Sequence, residues 1–326
     1  MKIRVDDLKN TTLKVLARSG YPTDEAETIL DVLMYAQLRG NNQGVVKLIG
    51  AGMPRDPNCT PITVTRDTKV SALVDGGHNS GMVVVQYALE LAMKKAEDHG
   101  FGIVGTNNTN SSTGAIGYYA SKATEAGYIG LIFAGSGEYV AMHGAYEPIF
   151  GTNPLAIGIP TQGKPVVFDM ATSAIARFGI VEAKTAGRSI PDDVAYDNDG
   201  NATTDPAAAL GGAIRAFGGY KGAALAFMVE VLTHELVGTT HDAQGKKVDW
   251  GNLIMVIDPE LLVDRDTFAK QVSELVMRVK ATRKLPGIEE ILIPGERGNA
   301  VLDAALASGE IEIEEGLWMA LQKATS

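Results

Sequence analysis

Apolar positions in the first third of the chain recur every three or four residues. This spacing is typical of helices that bury one face, and it predicts helices over residues 6–19, 24–38 and 80–98. At the start of the second helix, Asp24 and Glu27 have the spacing of a capping box. Shorter runs at 62–65 and 70–75 predict two strands around a polar turn.

After residue 100 the pattern changes to short apolar runs bounded by glycine, asparagine and proline. Strands are predicted at 102–105, 129–133, 155–159, 166–168 and 291–297, and helices at 118–125, 220–237 and 264–283. A final helix near the C-terminus is expected to dock through Trp318 and Leu321. This mixture indicates an α/β or α+β protein with buried strands.

Composition restricts the classes of partner. The chain has 326 residues, 45% of them hydrophobic, and 29 basic against 39 acidic residues give a net charge of −10. We expect a globular protein that binds neither nucleic acid nor a membrane surface, since both carry negative charge. A single cysteine, Cys59, and an N-terminus without a signal-peptide pattern predict a cytoplasmic location.

Several common catalytic motifs are missing from the sequence. It contains no G-x-G-x-x-G, so a Rossmann fingerprint is excluded. The segment Gly158–Lys164 resembles a phosphate-binding loop, but Pro165 stands where a magnesium-binding Ser or Thr is needed. The five histidines are scattered without a metal-binding spacing, and we expect no metal site.

Dense polar and glycine-rich clusters remain as candidates. They occupy residues 39–47, 107–114, 151–154, 169–173, 218–222 and 294–297. Each cluster alone is compatible with an ordinary turn or helix cap. Several clusters directly beside apolar runs favour a binding site, and exposed backbone N–H groups with a lysine suit an anionic, phosphate-bearing ligand.

Six of these segments, in order, resemble the malate/L-lactate dehydrogenase family that is unrelated to Rossmann dehydrogenases. They are Ser112–Tyr119, Gly151–Ala156, Phe168–Ser173, the loop 197–206, Gly218–Gly222 and Ile293–Glu296. The resemblance implies a non-Rossmann α/β fold with a mixed sheet and a helical N-terminal part. It also implies a homodimer that uses NAD or NADP to transfer hydride to or from a small carboxylate substrate, a 2-oxo or 2-hydroxy acid. Residues 1–115 and 288–326 would form a substrate and dimerisation domain, and 116–287 a nucleotide-binding domain.

The resemblance also implies roles for individual residues. Arg39, Lys47 and Thr152 match substrate positions, and relatives usually carry an arginine that clamps the carboxylate where Lys47 stands. Lysine keeps the charge but loses the two-pronged geometry of arginine. The positions that match dinucleotide contacts in relatives are Ser136, Asp169, Met170, Ala171, Lys221, Gly295 and Glu296.

Two departures concern proton transfer. Relatives carry Ser-His-Gly where this chain has Asn42-Gln43-Gly44, and a second family histidine aligns with Ser112. Glutamine cannot donate a proton at neutral pH, and an isolated serine hydroxyl is a poor acid. Gln43 and Ser112 are therefore predicted to hydrogen-bond the reacting oxo or imino group, and His143 is predicted to donate the proton, with Asp197 and water as helpers.

Two alternatives remain open on the sequence. A 2-imino acid or cyclic imine that is already protonated needs no acid from the protein, so the chain could be an imine reductase. Alternatively, the fold could be kept for nucleotide or carboxylate binding without hydride transfer. The sequence does not distinguish NAD from NADP, and it does not identify the substrate.

Overall fold

The computed structural model describes residues 1–50, 52–243 and 248–325. Its strands are β1 Lys2–Arg4, β2 Thr63–Asp67, β3 Ser71–Asp75, β4 Phe101–Asn107, β5 Ile129–Ala134, β6 Val140–Ala141, β7 Pro148–Phe150, β8 Leu155–Ile159, β9 Val166–Met170, β10 Ala195–Tyr196, β11 Ala213–Ile214, β12 Asn252–Ile257 and β13 Glu310–Glu312. Its α-helices are α1 Val5–Arg18, α2 Thr23–Gln37, α3 Gly81–His99, α4 Gly117–Glu125, α5 Arg177–Thr185, α6 Pro206–Gly211, α7 Tyr220–Glu230, α8 Arg265–Lys280, α9 Glu296–Ser308 and α10 Glu315–Ala324. Short 3₁₀ helices cover Val45–Leu48 and Pro259–Leu261, and α7 continues into a π-helical segment, Val231–Glu235.

A seven-stranded mixed sheet forms the centre, in the order β2-β3-β4-β12-β5-β8-β9. The pair β3 and β4 is parallel, with α3 as the crossover between them, and every other neighbouring pair in this sheet is antiparallel. The central strand β12 buries Leu253, Ile254 and Val256. This arrangement confirms an α/β fold with a mixed sheet.

One large core joins the helical N-terminal part to this sheet. Leu8 and Leu16 of α1, Ile29 and Leu33 of α2, and Leu89 of α3 are fully buried in it. The C-terminal helix α10 contributes Trp318 and Leu321, and antiparallel pairing of β1 with β13 holds the two chain ends together. The predicted docking of the last helix is therefore confirmed.

A second, smaller core lies under the four-stranded sheet β10-β11-β6-β7. Val140, Phe150, Ile180 and Ile214 are among its buried members. The seven-stranded sheet combines strands from before and after residue 115, so both predicted domains contribute to it. The domain boundaries at 115 and 287 remain a prediction.

The structure corrects two local predictions. Pro22 precedes α2, and its N-cap makes no side-chain hydrogen bond, so the capping box at Asp24 is wrong. Residues 291–295 form a loop against β9 rather than a strand, and α9 begins at Glu296. The pattern did not predict β12 or α5. Among residues 1–50, 52–243 and 248–325, no helix is both long enough and apolar enough to cross a membrane.

Candidate active site

A cavity of about 570 Å³ lies at one edge of the seven-stranded sheet. Strands β4, β5 and β9 end at this edge, and β8 and β12 begin there, so the loops of five strands converge. Its wall includes residues from segments 41–50, 52–53, 111–116, 134–139, 152–154 and 176–181, together with Asp169, Ala171 and Trp250. The volume is within the range of small-molecule binding sites.

Lys47 enters the cavity from the 3₁₀ helix that follows α2. Its side chain is buried, with a residue exposure of 3%, and Nζ donates a hydrogen bond of 2.9 Å to Ser112 Oγ. The ammonium also lies 3.8 Å from the ring centre of Phe178. Burial lowers the pKa of Lys47 from its ordinary value of 10.5 to about 7, because the charged form loses its hydration.

Ser112 lies in the loop between β4 and α4. Its hydroxyl oxygen accepts the bond from Lys47 and a second one, of 3.1 Å, from the Gly114 N–H. The loop is fixed at its start by Asp249, whose carboxylate accepts the N–H groups of Asn108 and Thr109 at 2.7 and 3.0 Å. These bonds hold Ser112 next to Lys47, although 65 residues separate them in sequence.

Asp169, near the end of β9, forms the opposite part of the wall. Its carboxylate accepts the Gly117 N–H at 2.8 Å at the start of α4. Partial desolvation at the cavity wall raises the pKa of Asp169 to about 6, and the bond from Gly117 opposes this shift. This carboxyl group therefore titrates much closer to neutral pH than an ordinary aspartate.

A second cation, Arg177, lines the cavity at the first residue of α5. Its guanidinium lies 4.0 Å from the ring centre of Tyr139, an arrangement that restricts the side chain and leaves its N–H edges free to bind a ligand. The sequence pattern did not indicate a role for Arg177. The signal available was its position four residues after the cluster 169–173.

A buried polar network supports the cavity wall from behind. Asn153 Nδ2 donates to Glu230 Oε2 at 2.7 Å, and Glu230 Oε1 lies 3.1 Å from His234 Nδ1. His234 packs against Gly135, where an added Cβ would come within 2.8 Å of the His234 Nδ1 atom. Gly135 lines the cavity, so this network fixes the position of the wall.

The structure brings together about half of the residues that the sequence predicted for the site. Those that line the cavity are Gln43, Lys47, Ser112, Ser136, Thr152, Asp169 and Ala171. Met170 follows Asp169 on β9 without lining it. Arg39 lies outside, stacked 3.7 Å from the ring centre of Tyr35.

The remaining predicted residues lie elsewhere on the surface. His143 is exposed and contacts Tyr220, with ring centres 6.4 Å apart. Lys221 is exposed at the start of α7. Glu296 borders a second cavity of about 610 Å³, where Lys280 donates to it at 2.7 Å, and Gly295 precedes it next to β9. The roles assigned to these residues remain predictions.

Residues 3–322 match the sequence profile of the malate/L-lactate dehydrogenase family. The chain belongs to this family. It is 38% identical to the L-sulfolactate dehydrogenase of Methanothermobacter thermautotrophicus, over 97% of this chain and 94% of that protein. It is also 33% identical to Δ1-pyrroline-2-carboxylate reductase 1 of Burkholderia ambifaria, over 80% and 81% of the two chains.

The fold comparison agrees with the sequence match. The solved structure of sulfolactate dehydrogenase from Methanocaldococcus jannaschii superimposes with a TM-score of 0.84 at 32% identity, over 99% of this chain and 96% of that one. The expected non-Rossmann family fold is therefore confirmed. Because these relatives are dehydrogenases and a reductase, the chain is an oxidoreductase, and the alternative of a binding protein without hydride transfer loses its support.

Proposed function

We propose that this enzyme transfers hydride between NAD(P) and a small 2-oxo or 2-hydroxy acid in the cavity at the sheet edge. The observation that carries the proposal is the convergence of Lys47, Arg177 and Ser112 in a cavity that also contains Ser136 and Asp169, two of the predicted cofactor residues. Cations, a hydroxyl group and a dinucleotide-binding wall are the components that such a reaction requires.

The charges of the cavity favour a small anionic substrate. Lys47 is almost fully buried, and among the described residues it forms no ion pair with an acidic side chain. A buried positive charge without a partner is costly, and an anionic ligand in the same cavity would stabilise it. Arg177 adds a second positive charge in the same cavity.

The residues of the opposite wall fit a nicotinamide cofactor. Ser136, Thr152 and Asp169 offer hydrogen-bonding groups, while Ile116 and Trp250 offer apolar surface for a flat ring. When bound, the nicotinamide supplies or accepts the hydride. Ser136, Asp169 and Ala171 would hold this part of the cofactor. We propose that Met170, Lys221, Gly295 and Glu296 contact portions of the dinucleotide outside the cavity.

A second candidate is the reduction of a 2-imino acid or cyclic imine. Two features favour it: the resemblance of the sequence implies family histidines where Gln43 and Ser112 stand, and the Burkholderia ambifaria relative is named a pyrroline-2-carboxylate reductase. A protonated imine accepts hydride without an acid from the protein. Its carboxylate would bind in the same cavity.

We further propose that the enzyme is a cytoplasmic homodimer. The support is exposed apolar surface on α7, where Tyr220, Phe227 and Met228 are 64%, 47% and 58% exposed. Helix α8 buries none of its residues and exposes Leu275 and Met277. Contiguous exposed apolar surface is typical of subunit interfaces.

Purified protein should first be titrated with NADH and NADPH by fluorescence. Nicotinamide absorbance should then be followed with a panel of 2-oxo acids, with and without ammonia or methylamine, and with cyclic imines. Turnover of simple 2-oxo acids is the expected result. Turnover of imines alone would support the second candidate, and failure to bind either nucleotide would overturn the proposal.

The Lys221→Ala variant separates the cofactor from the substrate in this assay. We expect weaker NAD(P)H binding and little change in the KM of the acid, because Lys221 lies outside the cavity. Lys122→Ala is a matched control, since Lys122 is an exposed lysine paired with Glu125 at 3.1 Å on α4. A raised KM of the acid with unchanged nucleotide affinity would remove Lys221 from the cofactor site.

A further inference from the structure

We propose that Lys47 and Ser112 together deliver the proton of this reaction, with Ser112 in contact with the substrate and Lys47 behind it. The inference rests on the proposed function, since it assigns the group that protonates the oxygen of a 2-oxo acid. It assigns proton delivery to a pair that only the folded chain brings together. It also moves the role of Lys47 away from clamping the carboxylate.

The hydrogen bonds around Ser112 determine the direction of donation. A serine hydroxyl has two acceptor lone pairs and one hydrogen. Lys47 Nζ at 2.9 Å and Gly114 N–H at 3.1 Å both donate to Ser112 Oγ, which uses its two acceptor positions. The hydroxyl hydrogen is then left to donate, and Ser112 lines the cavity. Two donors on one oxygen also polarise its O–H bond.

Lys47 has the properties required of the proton reservoir. It is buried against Phe178 and hydrogen-bonded to Ser112, so its amine is directed at the hydroxyl oxygen. Burial brings the pKa of Lys47 to about 7, close to the value that suits a general acid at neutral pH. An ammonium of ordinary pKa would hold its proton too tightly for this task.

Lys47 is the charged group of the cavity that contacts Ser112, through a hydrogen bond of 2.9 Å. Asp169 on β9, Arg177 on α5 and the phenol of Tyr139 face the cavity. The lowering of the pKa of Lys47 has burial as its cause, so no charged side chain of the adjacent helices α1 and α2 contributes to it. Arginine does not exchange its proton near neutral pH.

In the proposed step, a proton passes from Ser112 to the substrate oxygen and another passes from Lys47 to Ser112. As C2 of the 2-oxo acid accepts hydride, the electron pair of the carbonyl π bond moves onto the oxygen, and the keto carbon is reduced by two electrons while the nicotinamide is oxidised. The O–H bond of Ser112 breaks as the substrate O–H bond forms. An N–H bond of Lys47 then breaks to restore the serine hydroxyl, and water returns a proton to the neutral amine. Oxidation of the hydroxy acid runs through the same steps in reverse.

Arg177 takes the carboxylate in this arrangement. Its guanidinium is oriented by the Tyr139 ring at 4.0 Å, and its paired N–H groups match the geometry of a carboxylate better than an ammonium does. The two cations of the cavity thus have separate tasks. Arg177 binds and Lys47 exchanges a proton.

The Lys47→Arg variant distinguishes proton transfer from carboxylate binding. Arginine keeps the positive charge and hydrogen-bond donors, but its pKa of about 12 or higher prevents proton release. We expect the affinity for oxamate, an unreactive 2-oxo acid analogue, to change by less than about threefold while kcat falls roughly 100-fold or more. Retention of kcat in this variant would overturn the proposal and return Lys47 to carboxylate binding.

Further variants test the rest of the pair. Ser112→Ala should lower kcat with little effect on oxamate affinity, and Arg177→Met should weaken oxamate binding. Replacing Ser112 by histidine in the Lys47→Arg background supplies a new acid beside a fixed charge, and it should recover part of kcat. A large loss of kcat in His143→Ala, with kcat retained in Lys47→Arg, would instead assign the proton to His143.

Direct titration gives a readout that does not depend on turnover. In protein labelled with ¹³C at lysine Cε, the Lys47 signal is the one that disappears in Lys47→Arg, and its chemical shift should titrate with a midpoint near 7. Ser112→Ala should shift that midpoint, and Lys122→Arg should leave it unchanged. A midpoint near 10 would overturn the proposal.

Different results would overturn the proposed function and the proton-delivery role of Lys47 and Ser112. If the wild-type protein reduces none of the acids or imines, the proposed function fails, whatever the titration of Lys47 shows. If the wild-type protein reduces 2-oxo acids and Lys47→Arg does so equally well, the proton-delivery pair alone fails.

Discussion

Replacing Lys47 by methionine should make this protein more stable and less active at the same time. Methionine has a similar length and no charge, so it fills the same space without the cost of burying an ammonium. In the wild-type protein at neutral pH, the buried ammonium lowers the free energy of unfolding, because Lys47 is 3% exposed and has no acidic partner among the described residues.

The size of the effect follows from the pKa of Lys47. A lowering from 10.5 to about 7 corresponds to about 5 kcal/mol of destabilisation of the charged form. The variant also leaves Ser112 without one of its donors and loses the contact with the Phe178 ring, which together offset part of this gain. We expect a net increase of about 2 kcal/mol in the free energy of unfolding at pH 7.

The gain should depend on pH with a defined sign. Between the folded pKa and the unfolded value of 10.5, the unfolded chain holds a proton on Lys47 that the folded chain lacks. The wild-type protein therefore gains stability as the pH rises through this interval. The advantage of Lys47→Met should shrink by about 3 kcal/mol between pH 6.5 and 9.5.

Urea unfolding at pH 6.5, 8 and 9.5, followed by circular dichroism, measures this difference. Lys122→Met is the control for loss of an exposed lysine, and it should change stability by less than about 1 kcal/mol at each pH. A Lys47→Met variant that is less stable than the wild type at pH 6.5, or a stability difference that is the same at all three pH values, would contradict this prediction.

Three further substitutions test other parts of the structure. Gly135→Ala should lower both Tm and kcat, measured by calorimetry and steady-state kinetics, because the new methyl group would overlap His234 behind the cavity wall. Arg265→Ala should cost about 2 kcal/mol in urea unfolding at pH 7, since it removes a 2.8 Å bond to Asp258. Arg265 holds the pKa of Asp258 below its usual 3.8, so this loss should disappear as the pH falls below about 4. Asp169→Asn should raise Tm at pH 7.5 but not at pH 4, because the pKa of Asp169 is raised to about 6 and its ionised form destabilises the fold; equal gains at both values would contradict this.

Local periodicity was sufficient to predict the helical part of the molecule. Helices α1, α2 and α3 begin and end within a residue or two of the predicted limits, because each buries a continuous apolar face. The order of six polar segments was likewise sufficient to identify the family, which the match over residues 3–322 confirms.

The pattern failed where burial is set by distant neighbours. Strand β12 lies between β4 and β5 at the centre of the sheet. Its apolar run Leu253–Ile257 shows no alternation because both faces of the strand are covered, and periodicity alone does not distinguish such a run from a buried helical segment. Residues 291–295 are apolar enough for a strand, yet they pack as a loop against β9. In both cases the partner segments decide the structure.

The fold class, the family and most of the segments that surround the cavity could be predicted from the sequence alone. The sequence did not determine which side chains face one another there. The pairing of Lys47 with Ser112 spans 65 residues, and Arg177 reaches the cavity from a helix that the pattern did not predict. His143, which the sequence predicted as the proton donor, is exposed. Such contacts, and the shifted pKa of a buried lysine, arise only when separate segments exclude water from a common space, and tertiary structure alone decides that.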